Sequence, residues 1–164
     1  MNFFSSIVIL IFLSLSFDSY GASSSLKTSG SETSDQQNTP EEQKKKVRKI
    51  SANWDGNACT LPNHSVYLTD ESFVYYHSST PIAGFQFDVE GTSLIDAWGG
   101  DAETAGFTTP TGNNIVLGFS LEGSTFSGCG TMVMLELEEQ ATGISNLIIS
   151  DSNGAAINFL ILLN

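Results

Sequence analysis

The sequence predicts a two-sheet antiparallel β-sandwich over residues 53–164. Three observations predict it. Short runs of alternating apolar and polar residues recur from Trp54 onward. Gly, Asn, Asp, Ser and Pro separate these runs. No window of helical length carries an apolar stripe at helical spacing.

The clearest run is PIAGFQFDVEG, residues 81–91. Ala83, Phe85, Phe87 and Val89 alternate with Gly84, Gln86, Asp88 and Glu90, so an extended strand there has one apolar and one polar face. Strands are expected at 65–69, 72–77, 82–90, 114–122, 131–138, 145–150 and 156–163. In 114–122, Ile115, Leu117, Phe119 and Leu121 share a face. In 131–138, Val133, Leu135 and Leu137 point one way, while Met132, Met134, Glu136 and Glu138 point the other. In the last run Ile157, Phe159, Ile161 and Leu163 alternate with Asn158, Leu160 and Leu162. The expected core is Phe85, Phe87, Val89, Leu117, Phe119, Leu135, Phe159 and Ile161. Each contributes about 1.5–3 kcal/mol when fully buried.

Two segments precede the sandwich. Residues 3–17, FFSSIVILIFLSLSF, are apolar but shorter than the ~20 residues a bilayer-spanning helix needs. Ser19 and Gly21 follow, placed for cleavage after Gly21 or Ala22. Residues 1–21 therefore read as a secretory signal peptide, with no basic residue before the run. Residues 22–52 are Ser-rich, then charged, with few apolar side chains. They read as a disordered tether that cannot bury enough surface to offset its ordering entropy. The KKKVRK run within them reads as part of that tether or as a processing site.

Charge excludes one partner class. The net charge is −12. All six basic residues lie before residue 50, whereas thirteen of the 18 acids follow it. A base-free domain cannot neutralise phosphates, which excludes nucleic acid. Its carboxylates rely on water, backbone N–H groups or cations. Such acidity serves solubility in salty surroundings, holds a divalent cation, or complements a basic partner.

Catalytic motifs are absent. His64 and His77 have no metal-ligand spacing, and there is no HExxH, CxxC, GxSxG or Gly-rich phosphate loop. Pairs of outward acids, such as Asp88 with Glu90 and Glu136 with Glu138, are too plentiful to single out a glycosidase pair. The expectation is no enzyme and no cofactor. Cys59 and Cys129 make an even pair in a secreted chain and are expected to form a disulfide. Asn63-His64-Ser65 is a glycosylation sequon for a eukaryotic host.

The loop DAWGGDAETAGF, 96–107, is the most unusual. Asp101 is expected to cap one helical turn that Gly106 ends. Asp96, Asp101 and Glu103 are candidate Ca²⁺ ligands, being hard oxygen donors. Trp98 is expected to plug the end of the sandwich; the alternative is stacking on a sugar ring.

PIAGFQFDVEG resembles a strand of cohesin domains, and GFSLEGSTFSGCGTMVMLELE, 118–138, resembles their core strand, turn and following strand. GGDAETAGF, 99–107, is similar to a stretch of short secreted cohesin-like proteins. The resemblance runs from about Asp70 to Leu163, on Gly84, Phe85, Phe87, Gly118, Phe119, Gly128 and Gly130. It implies a jelly-roll sandwich related to scaffoldin-associated carbohydrate-binding modules. It also implies a non-catalytic recognition module. Cohesins bind dockerins, small calcium-dependent helical domains, through one sandwich face and help assemble extracellular polysaccharide-degrading complexes. The cysteine pair is one this chain adds to the family pattern.

Three functions follow as expectations. The first is a secreted module binding a dockerin-like extracellular protein through Gln86, Asp88, Met132, Met134 and Glu136, with adaptable methionines. The second is a polysaccharide-binding module, with Trp98 and Tyr75 or Tyr76 as stacking platforms. The third is an adhesive or structural surface protein whose acids hold Ca²⁺. None involves a membrane once the signal peptide is cleaved.

Overall fold

The computed structural model describes residues 47–51 and 53–163. The expected signal peptide, and the expected tether up to residue 46, lie outside the described residues. In chain order the strands are β1 (Val47–Lys49), β2 (Ser65–Leu68), β3 (Phe73–Ile82), β4 (Gly84–Glu90), β5 (Leu94–Trp98), β6 (Thr111–Gly112), β7 (Ile115–Phe119), β8 (Phe126–Leu137), β9 (Gly143–Ser150) and β10 (Leu160–Leu163). A 3-10 turn, Ala58–Thr60, precedes β2, and a short helix α1, Gly100–Thr104, follows β5.

These strands form the expected two-sheet sandwich. The large sheet has the order β1-β10-β2-β3-β8-β5 and the small sheet β6-β7-β4-β9. The pairs are antiparallel except β1–β10 and β10–β2, which are parallel. β3 runs into β4 through the single residue Ala83, so the chain steps from one sheet to the other between Ile82 and Gly84. The core fills the space between the sheets with Val66, Val74, Tyr76, Ile82, Phe85, Phe87, Val89, Val116, Val133, Leu135, Ile149 and Ile161, all buried. An aromatic chain runs through it. Phe85 lies 6.2 Å from both Phe87 and Phe107, Phe107 lies 5.0 Å from Phe126, and Phe126 lies 5.2 Å from Tyr76. Such pairs add about 0.5–1.5 kcal/mol each beyond area burial.

β4 follows its alternation: Phe85, Phe87 and Val89 are buried, Gln86 and Asp88 half-buried, Glu90 exposed. β7 reverses its expected faces. Val116 and Gly118 point into the core, while Ile115, Leu117 and Phe119 lie on the outer face, half-buried. The cause is the register. Phe85 pairs with Gly118 and Phe87 with Val116. The Phe85 ring occupies the space a side chain at 118 would need, since an ideal Cβ there falls 2.1 Å from two ring carbons. Leu117 and Phe119 therefore leave the expected core, and Phe107 and Phe126 join it.

β8 departs from its pattern at Met132. Val74 pairs with Val133 but Tyr75 with Thr131, so Met132 is the extra residue of a β-bulge. A bulge breaks the period of two and re-aims a side chain. Met132 turns inward and is fully buried, next to buried Val133. Met132 therefore points inward, not outward as strict alternation predicts.

The end of the expected tether is structured. β1 forms the edge of the large sheet, with Arg48 beside Leu162. Its side chains are all exposed, so backbone pairing holds it. The sheet thus starts upstream of residue 53.

Residues 53–64 form a strap across the outer face of β10, β2 and β3. Ala58, Leu61, Tyr67 and Leu162 make a second small core there, with Trp54 and Tyr75 against it. Trp54 meets Tyr67 edge-on at 4.9 Å. The Trp54 indole N–H donates to Thr60 Oγ1 at 3.0 Å, and the Thr60 hydroxyl donates to Asp55 at 2.7 Å. That hydroxyl, and the Asn57 N–H, hold the Asp55 carboxyl below its ordinary range. His77 Nδ1–H donates to the Leu61 carbonyl at 2.6 Å. The expected disulfide is present: Cys59 in the strap is bonded to Cys129 on β8, with Cα atoms 4.9 Å apart.

α1 differs from expectation at its start. Its N-cap is Gly99, with no side-chain cap, and Asp101 lies inside the first turn. The Tyr76 hydroxyl donates to Asp101 Oδ2 at 2.9 Å, tethering α1 to β3. Burial, then the Asp101 carboxylate, pushes the Tyr76 phenol well above its ordinary range, so it stays a donor. The helix ends as expected. Gly106 has φ +79°, its N–H bonds to Glu103 and the Phe107 N–H to Ala102. This paired closure delivers Phe107 to the core.

Candidate functional site

The expected binding residues do not form one surface. Gln86 and Asp88 lie on the outer face of the small sheet, and Met134 and Glu136 on the outer face of the large sheet. The sandwich core separates the two pairs, and Met132 belongs to that core.

On the small sheet, three cross-strand rows are set by register. Phe119, Gly84 and Ser150 form one row, Leu117, Gln86 and Ile148 the next, and Ile115, Asp88 and Ser145 the third. Gly84 lacks a side chain, and the Ser150 hydroxyl leans over it, 3.0 Å from where a Cβ would stand. Ile148 is 55% exposed, and Leu121, just beyond β7, is 72% exposed. Asn146 donates to Asp88 Oδ2 at 2.6 Å, and the Ser145 hydroxyl donates to Glu90. The face is thus an apolar column on β7, a polar stripe on β4 with its acids oriented by β9, and an apolar rim at Ile148. The sequence signal for this face was Gly118. A glycine inside a strand marks close approach of another group, here the Phe85 ring, and that approach turns Leu117 and Phe119 outward.

On the large sheet, Phe73 pairs with Met134 and Met134 with Trp98. Their neighbours Val74, Val133 and Ala97 are buried in the core, so the three larger side chains share the outer face. Trp98 is 42% exposed rather than a plug at the sandwich end. It lies on edge strand β5, which the alternation did not reveal because Ile95 interrupts the pairing between Leu94 and Asp96. Asp96 lies directly opposite Glu136 on the same face. Tyr75 is half-buried beside the strap and Tyr76 is fully buried, so only the former borders this face.

Asp96, Asp101 and Glu103 are not drawn into one cluster. Asp96 accepts from the Ala97 N–H at 2.8 Å, Asp101 accepts from Tyr76, and Glu103 is an exposed residue of α1. Among the described residues, no three His, Cys, Asp or Glu side chains are grouped to hold a metal ion. Asn63 is exposed, with its amide bonded at 2.8 Å to both the Ser79 hydroxyl and the Ser79 N–H. No helix among the described residues is long and apolar enough to cross a membrane.

No family model matches the chain, and no curated protein matches it. Among solved structures it is similar to a non-cellulosomal cohesin from the hyperthermophilic archaeon Archaeoglobus fulgidus. The TM-score is 0.42 at 13% sequence identity, covering 60% of this chain and 83% of that chain.

Proposed function

We propose that this chain is a secreted, non-catalytic recognition module that binds a protein partner through the outer face of the small sheet. One observation carries the reading. The outward positions of β7 are Ile115, Leu117 and Phe119, facing Ile148 across β4, where a sheet facing only water alternates to polar residues. Apolar side chains left on an outer sheet face on both sides of a polar stripe mark a protein-interaction site. The stripe of Gln86 and Asp88 supplies hydrogen-bonding specificity at its centre.

The partner's chemistry follows from this face. It presents apolar side chains to Leu117 and Ile148 and basic groups to the surrounding acids, since residues 51–164 contain no Lys or Arg. The cohesin resemblance adds a dockerin-type helical domain as that partner, and extracellular polysaccharide-related assembly as the setting. Secretion is supported by the apolar run 3–17 and by the disulfide, which persists in oxidising compartments.

The test is capture of dockerin-type domains and secreted proteins by the folded chain and by Leu117→Asp. A charge in the centre of an interface costs several kcal/mol, so a captured partner is expected to bind at least tenfold more weakly to L117D. Equal capture by both forms contradicts the proposal.

A further inference from the structure

We propose a second site on the opposite side of the sandwich: the row Phe73, Met134 and Trp98, with the carboxylate pair Asp96 and Glu136, binds an extended neutral polysaccharide. The row crosses three adjacent strands in exact register. At about 4.8 Å per strand spacing, its ends stand roughly 10 Å apart. That span suits two successive sugar rings of a flat β-linked chain, and a coiled α-linked chain does not lie along it. The ring faces of such sugars carry C–H groups, which pack on the exposed Trp98 indole and on Phe73. Met134 fills the middle with a polarizable thioether.

The carboxylates supply the second, independent part. Asp96 and Glu136 are exposed and directly opposite one another on this outer face. Like charges so placed destabilise a sheet. Sugar hydroxyls are donors that both carboxylates accept at once, through charge-assisted bonds that relieve the repulsion. The same pair, on a sheet whose described basic residues, Arg48 and Lys49, lie at the far edge in β1, repels uronic and sulfated chains. The ligand is therefore neutral.

The strap leaves the row open. Its second core covers Tyr67, Tyr75 and Leu162, and its disulfide anchors on β8 at Cys129, away from Met134. Two recognition faces then sit back to back, one for a protein and one for a glycan.

The test is native gel electrophoresis of the full chain through gels containing soluble β-1,4-glucan, β-1,4-xylan, β-1,4-mannan or starch. At least one β-linked polymer is expected to retard migration, starch is not, and the retardation persists in chelator. Trp98→Ala is expected to weaken it tenfold or more, and Glu136→Gln several-fold. Leu117→Asp leaves it unchanged, which separates this site from the protein-binding face. Equal urea midpoints for W98A and the parent show that the variant is folded. Unchanged mobility in all three β-linked polymers overturns the proposal. So does retardation that W98A retains, or that vanishes with chelator.

Discussion

Replacing Cys59 and Cys129 together by serine is expected to lower the unfolding free energy by about 4 kcal/mol. The bond closes a loop with a sequence separation of 70 residues. Cross-linking a loop of that size removes chain entropy from the unfolded state, and the loss grows with the logarithm of its length. The folded state keeps most of its contacts without the bond. The burial of Leu61, the His77 bond to the Leu61 carbonyl and the β3–β8 pairing do not depend on the sulfur atoms and are expected to persist. The two-layer architecture should therefore survive, with the urea midpoint lowered and the slope raised, because the unlinked denatured chain exposes more surface. The strap should loosen first, because its own small core consists mainly of Ala58, Leu61, Tyr67 and Leu162. Urea unfolding of the parent and the double serine variant checks this. A difference below ~1 kcal/mol would show that the strap adds no constraint to the unfolded chain.

Gly118→Ala should destabilise by about 2–4 kcal/mol. Alanine exceeds glycine in strand preference by a fraction of the ~1 kcal/mol scale, so preference alone predicts a small gain. Packing wins. The new Cβ would stand 2.1 Å from the Phe85 ring. The ring is 2% exposed and locked among Phe87, Phe107 and Phe126, so it cannot step aside cheaply. Either the sheets part or the ring leaves its site, with a cost approaching that of truncating a core aromatic. Gly112→Ala is the control. Nothing lies within 4 Å of a Cβ at that position, and its expected change is near zero. Thermal unfolding of the two variants decides the matter.

The sequence was most legible where one strand face was unambiguous. β4 has large apolar residues at 85, 87 and 89 and polar ones between them, and it folds that way. In β7 both sets of alternate positions hold apolar residues, so alternation names no inward face. The larger set, Ile115, Leu117 and Phe119, looks like core by size, but the Phe85 ring claims the space above Gly118 and reverses the choice. In β8 four consecutive apolar residues, 132–135, conceal a bulge at Met132 that only pairing with β3 reveals. In β10 both faces are covered, Ile161 by the main core and Leu162 by the strap, which simple alternation cannot anticipate. β1 carries no apolar pattern because backbone pairing alone defines it. The candidate site suffered most. Alternation gives its residues a similar outward polarity, while their partition between two opposite faces depends on which sheet each strand joins. Residue type alone marks Trp98, but its row with Met134 and Phe73 exists only through registers across three strands.

Gly118 and Phe85 together turn β7 so that Leu117 faces outward on the small sheet. Single cysteines at 116 and 117, probed with a thiol reagent in the native state without reductant, test it most directly. Leu117→Cys should react at a rate near that of an accessible thiol, and Val116→Cys should be protected until the chain unfolds. Rapid modification at 116 with protection at 117 would contradict the account, because the small sheet would then present the opposite face of β7.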